Sequence, residues 1–137
     1  MAKSMRFLLI AASSLSVLAS PVEASRWVLV AEADSAKHFI DADAIVWDGQ
    51  IASSWLRTEY SGRGPKEESA VLEKWMNDCE NARSKLLAFT SYKADGSVLR
   101  SSQAPRYLLE WSEIKGGSTY QVAHQRICAQ RPGGERG

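Results

Sequence analysis

The sequence predicts an α+β domain: a small antiparallel β-meander, one C-terminal α-helix and a single disulfide. Three observations carry this reading. Short runs rich in β-branched and aromatic residues fill the middle of the chain and are separated by polar turns. Two of those turns, Asp48-Gly49 and Asp95-Gly96, are hairpin signals, because such turns need positive φ and Gly supplies it without strain. Only after Gly117 does the apolar spacing change to that of a helix face.

Taken in order, RWVLVAEA (26–33) is a β-type run closed by the polar turn Asp34-Ser35-Ala36-Lys37. HFID (38–41) and AIVW (44–47) follow, with Asp41-Ala42-Asp43 as a kink between them. After Asp48-Gly49 the next strand is QIASSWLRTEY (50–60), and the polar SGRGPKEE (61–68) forms a loop whose glycines and Pro65 break regular structure. In SAVLEKWMNDC (69–79), Val71, Trp75 and Asp78 fit helical spacing, whereas Val71, Glu73, Trp75, Asn77 and Cys79 alternate as a strand face; periodicity alone does not decide. The neighbouring SKLLAFTSYKADGSVLRSS favours the strand, since its two runs around Asp95-Gly96 supply a pairing partner. Pro105 interrupts, and YLLEW (107–111) reads either as a last short strand or as an extended connection. In GGSTYQVAHQRICAQ, Ser118 caps a helix and Gln121 reaches back to it as a capping box. Tyr120, Ala123, His124 and Ile127 then share one face, Pro132-Gly133-Gly134 stops the helix, and 131–137 is expected to be a disordered tail.

The start of the chain has a different character. Lys3 and Arg6 precede a short apolar run, Phe7 to Ala19, and Val22 and Ala24 present small residues to a signal peptidase. This is the pattern of a secretory signal over 1–24, cut between Ala24 and Ser25. The run is too short for a spanning helix, which needs roughly 20 apolar residues. No cysteine lies near the cut, so a bacterial lipid anchor has no attachment point. The expected mature protein is therefore periplasmic or secreted, with one domain over 25–130 and no membrane anchor. Loss of Lys3, Arg6 and Glu23 takes 17 basic and 16 acidic side chains to 15 of each. That balance lacks the basic excess of a nucleic-acid binder.

Export also decides the cysteines. In an oxidising compartment an isolated pair is most simply a disulfide, and without CxxC spacing neither a thioredoxin-like motif nor a zinc cluster is indicated. Cys79 and Cys128 are 49 positions apart. A bridge across such a loop contributes about 4 kcal/mol in the chain-entropy account, a large share of the net stability of a small domain.

With these residues in place, the chain resembles the surface-adhesin protein E family of bacterial envelope proteins. The matching features are Trp27, Phe39-Ile40-Asp41 with Ile45, Gly49 and Trp55, Ser69, Asp78-Cys79, Tyr92 and Gly96, Gly117-Ser118 and Cys128. Lys115-Gly116 stands where members often have Pro before the Gly-Ser pair. The resemblance implies a compact antiparallel sheet with one helix and a disulfide. It also implies an exported, non-enzymatic protein that binds a protein or matrix macromolecule.

Several residues invite sharper chemistry, and each has a plainer structural role. His38, Asp41 and Asp43 are metal-ligand types, but alternation puts His38 and Asp41 on opposite strand faces and Asp-x-Asp is ordinary turn chemistry. Ser118 and His124, with Asp41 or Asp78, contain the ingredients of a hydrolase triad. Ser118 is better placed as a cap, and His124 lies too far along the same helix to reach it. Trp27, Trp55 and Trp75 could form a platform for sugars or peptides, yet tryptophans in strands of a small domain are expected in the core. Arg57, Arg63, Lys66, Arg83 and Lys85 are interleaved with Glu59, Glu67, Glu68 and Glu80, which reads as a mixed solvated surface. The sequence thus predicts a binding module with no catalytic residue, metal or cofactor, acting through its sheet or the 61–68 loop. A periplasmic envelope-maintenance or inhibitor module is the alternative, and a small secreted hydrolase the more distant one.

Overall fold

The computed structural model describes residues 25–33, 35–103 and 110–133. Eight strands form one antiparallel sheet: β1 (Trp27–Ala33), β2 (Ala36–Asp41), β3 (Val46–Asp48), β4 (Ile51–Tyr60), β5 (Ala70–Asp78), β6 (Arg83–Tyr92), β7 (Val98–Gln103) and β8 (Ser112–Glu113). One helix, α1 (Thr119–Cys128), follows. The order across the sheet is β1-β2-β4-β5-β6-β7, with β3 sharing an edge of β4 with β2 and β8 sharing an edge of β6 with β7.

The kink between β2 and β3 is held by Asp41. Its buried Oδ1 accepts the backbone N–H groups of Arg26 and Asp43, both at 3.2 Å. Gly49, at φ +59, turns the chain between the paired residues Asp48 and Ile51. Gly96, at φ +83, does the same between β6 and β7. The ambiguous 69–79 segment is a strand over Ala70–Asp78, paired on both sides by β4 and β6. A bulge in the β5–β6 pairing falls between Lys74 and Trp75.

Three boundaries differ from expectation. Ala36 and Lys37 pair with Ala33 and Glu32, so they belong to β2 and the first turn is shorter than Asp34–Lys37. The helix stops at Cys128, with Ala129 as its C-cap, before Pro132 is reached. Ser112 and Glu113 pair with Ser84 and Arg83 as a strand that the sequence did not announce. Residues 107–109 of the YLLEW run and 134–137 of the expected tail lie outside the described residues, as do 1–24.

Pairing register divides the side chains into two faces. Ile40, Ala52 and Leu56 pack against Ala123 and Ile127 of α1, and Val28, Val30, Ile45, Trp47 and Trp75 surround that cluster. Cys79 and Cys128 are bridged, with Cα atoms 5.6 Å apart, which ties the C-terminal end of α1 to the end of β5. The opposite face of the sheet carries no helix among the described residues.

Candidate functional site

Register places Trp55 and Arg57 of β4 on the helix-free face, beside their cross-strand partners Lys74 and Leu72 of β5. Lys85 and Arg83 of β6 continue the same face, opposite Met76 and Asp78. Three tryptophans there lie under cations. Arg57 is 6.0 Å from the Trp27 ring centroid, Lys74 is 5.5 Å from Trp55, and Lys85 and Arg83 are 4.6 and 5.6 Å from Trp111. Such contacts contribute about 0.5–1 kcal/mol at exposed sites. They also hold long side chains upright along a row of half-buried rings.

This corrects the expectation that Trp27, Trp55 and Trp75 share the core. Trp75 does pack against it, but Trp27 and Trp55 stand on the other side of the sheet. The reason is strand alternation: the helix covers the face of Ala52, Ser54 and Leu56, which leaves Trp55 and Arg57 facing away. The mixed-surface reading is corrected in part as well. Arg57 does pair with Glu59 at 2.9 Å and Arg63 with Glu67 at 3.5 Å. Glu68, however, is buried; its carboxylate accepts the Lys66 N–H at 2.9 Å and meets Arg100 of β7 at 3.5 Å. The 61–68 loop is therefore folded onto the sheet, with Gly64 donating to the Glu68 carbonyl at 2.7 Å.

On the helix side, Ser118 Oγ accepts the Gln121 N–H at 3.2 Å and donates to the Lys115 carbonyl at 2.6 Å. Gln121 returns its side-chain oxygen to the N–H of Gly117, one residue earlier than a capping box predicts, at 2.8 Å. The Ser118 N–H is occupied by the Lys115 carbonyl.

His124 is buried in a different network. Asn77 uses its NH₂ on the Ala52 carbonyl and Ser54 Oγ, so its Oδ1 accepts from His124 Nδ1 at 3.4 Å. That leaves Nε2 facing Cys128 Sγ at 3.5 Å. Burial lowers the imidazole pKa below its ordinary value, against the opposing charge of Asp78. His38, whose pKa burial also lowers, contacts Thr58 Oγ1 at 3.0 Å on the helix side of the sheet, whereas Asp41 organises the kink. Ser118, His124, Asp41 and Asp78 thus have separate partners and do not converge.

The signal that could have located the open face was present in the chain. Trp55 and Arg57 are two residues apart in a strand, and so share a face. What the sequence lacks is any local mark of which face the helix chooses.

A family model described as surface-adhesin protein E matches residues 27–129. Among solved structures, protein E of Haemophilus influenzae is similar at 16% identity and a TM-score of 0.52, covering 75% of this chain and 83% of its own. Protein E from non-typeable Haemophilus influenzae aligns at 15% identity and a TM-score of 0.49, over 80% of this chain and 81% of its own. No curated protein matches the chain significantly by sequence. At 16% identity the first of these likenesses speaks for the fold alone, and the family match covers most of the chain. The chain belongs to the surface-adhesin protein E family.

Proposed function

We propose that this protein is an exported, non-catalytic binding module that holds a host or matrix macromolecule on the helix-free face of its sheet. The observation that carries the reading is the row of Trp27, Trp55 and Trp111 under Arg57, Lys74 and Lys85 on that face. Tryptophan and arginine are the residue types on which binding energy concentrates, because each combines a large contact area with polar reach. A sheet stapled by a disulfide presents them without much loss of conformational freedom on binding.

Export follows from the signal pattern before Ser25, and no helix among the described residues is long and apolar enough to cross a membrane. Intact mass of protein from a periplasmic or culture fraction tests the cut after Ala24; retention of Met1 overturns it. The binding reading is tested by immobilising the purified protein and probing it with matrix proteins and envelope extract. Wild type is compared with Trp55→Ala and Lys74→Ala, with melting temperature as the folding control. Loss of capture with an unchanged melting temperature supports the open face. Capture that both variants retain in full, or turnover in a broad substrate screen, overturns it.

A further inference from the structure

One part of the open face is a groove rather than a flat surface. A cavity of about 360 Å³ is lined by Trp27, Arg57, Leu72, Tyr92, Lys93 and Gly96, among others, so the sheet curls enough for β1 and the β6–β7 hairpin to share one hollow. We infer that this groove takes a uronate unit of an acidic matrix polysaccharide; the inference rests on the open-face reading above.

Three features select that chemistry. The volume falls at the lower end of the range for small-ligand clefts, which suits a sugar ring and its linkages rather than a folded protein segment. The walls carry two aromatic side chains, Trp27 and Tyr92, both half-buried, the residue type against which the apolar C–H side of a pyranose packs. The charged lining side chains are Arg57 and Lys93, with no carboxylate among the residues that line the groove. Charge complementarity therefore asks for an anion.

Arg57 is not saturated by its partner. Its Nη2 meets Glu59 at 2.9 Å and its Nε is buried out of a ligand's reach, so the other terminal nitrogen is the one that can meet an anion in the groove. A carboxylate can accept a charge-assisted bond from that nitrogen and another from the Lys93 ammonium. Lys93, exposed at the start of the β6–β7 turn, forms no ion pair among the described residues. The nearby Asp95 is engaged by Ser97, whose N–H and Oγ approach it at 2.9 and 2.6 Å.

The test is calorimetric titration of the purified protein with a tetrasaccharide alternating glucuronate and N-acetylglucosamine. A neutral N-acetylglucosamine tetramer and sodium sulfate serve as comparison ligands. The inference expects saturable binding of the uronate oligomer, at least about tenfold tighter than the neutral oligomer or sulfate. Lys93→Gln, at an exposed turn position, should weaken it about fivefold with no change in melting temperature, and Arg57→Gln should weaken it more. Equal affinity for the neutral oligomer, or an affinity indifferent to both substitutions, overturns it. Absence of uronate binding while Trp55→Ala still abolishes macromolecule capture overturns the groove assignment and leaves the open-face reading standing.

Discussion

Tyr120 and Trp75 grip the same carboxylate. Trp75 Nε1 donates to Glu73 Oε2 at 2.7 Å, Tyr120 Oη donates to it at 3.3 Å, and the two rings are 5.0 Å apart. Helix α1 is thereby fastened to β5 at its N-terminal end through Glu73, as the disulfide fastens its C-terminal end.

The burial of Glu73 raises its carboxyl pKa above the ordinary 4.5, with the bonds from Trp75 and Tyr120 pulling the other way. A raised folded-state pKa means that this group contributes most below the unfolded value and less as pH rises through the folded one. Glu73→Gln keeps an acceptor for both donors and removes the buried charge. It should flatten the decline in stability that begins near pH 4.5 and leave the protein more stable at neutral pH. Urea unfolding at several pH values checks this; an unchanged slope for the variant counts against it.

Asp78 behaves in the opposite sense. Buried at the end of β5, it accepts from Asn81 Nδ2 at 2.9 Å, Arg83 at 3.1 Å, the N–H groups of Glu80 and Asn81 at 3.2 Å, and Gln50 at 3.3 Å. The Asn81 side-chain bond first, then Arg83, the Asn81 N–H and Gln50, hold its carboxyl well below the carboxylate range against the cost of burial. Its stabilisation is present above the unfolded value of about 4 and is lost as pH falls below that. Asp78→Asn should cost about 2–3 kcal/mol at neutral pH, since charge-assisted bonds are lost and an NH₂ meets other donors. Chemical denaturation provides the number; a cost under about 0.5 kcal/mol would sink the assignment.

The β5–β6 hairpin stores a small strain. Ala82 sits at φ +50, a region that disfavours a side chain by about 1–2 kcal/mol. Ala82→Gly relieves that cost and gives back part of it as chain entropy, so a net gain of about 0.5–1 kcal/mol is expected. Thermal melting of the single variant measures it, and a lowered melting temperature contradicts it.

Much of this architecture is legible in the sequence. The hairpin run around Asp95-Gly96 settled the ambiguous 69–79 segment as a strand by supplying its partner, and the alternating set Val71, Glu73, Trp75 and Asn77 is the face that meets Tyr120 and His124 of the helix. Gly49 and Gly96 marked their hairpins because a residue with φ above zero leaves a chemical trace in the sequence. Strand β8 left none, since two residues cannot show a period. The helix end was misplaced because Pro132 is a visible stop, whereas the helix ends at Cys128, where Gln130 and Arg131 donate three residues back to Ile127 and Cys128 as turns. Trp27 and Trp55 were assigned to the wrong side for a related reason. Alternation says which residues travel together, and only the docking of the single helix says which set is covered. Glu68 was read as solvated for want of its partner Arg100, which lies 32 positions further along.

Staple removal should separate the helix from the sheet at one end only. The Cys79→Ala, Cys128→Ala double variant is expected to lose about 4 kcal/mol, the loop-closure term for a separation of 49. Amide exchange should quicken most around Ile127 and Cys128. It should quicken least at Gln121 and Val122, whose N–H groups Ser118 holds beside the Tyr120–Glu73 contact. Uniform quickening along α1 would show that the two ends do not hold independently.

The folded 61–68 loop makes a sharper contest between loop and face. Replacing the whole loop by Gly-Ser would remove Glu68, uncouple Arg100 and unsettle β7, so lost binding would carry no information about contact. Arg63 and Lys66 are exposed and can be changed without touching that anchor. Arg63 makes only an exposed pair with Glu67, of a kind that contributes about 0–1 kcal/mol. Arg63→Ser with Lys66→Ser should therefore leave stability within about 0.5 kcal/mol of wild type. If the open face is the binding surface, this double variant captures the macromolecule as wild type does, whereas Lys74→Ala, which strips the cation from Trp55, weakens capture. The reverse pattern, with capture lost in the loop variant and kept in Lys74→Ala, would move the site to the loop.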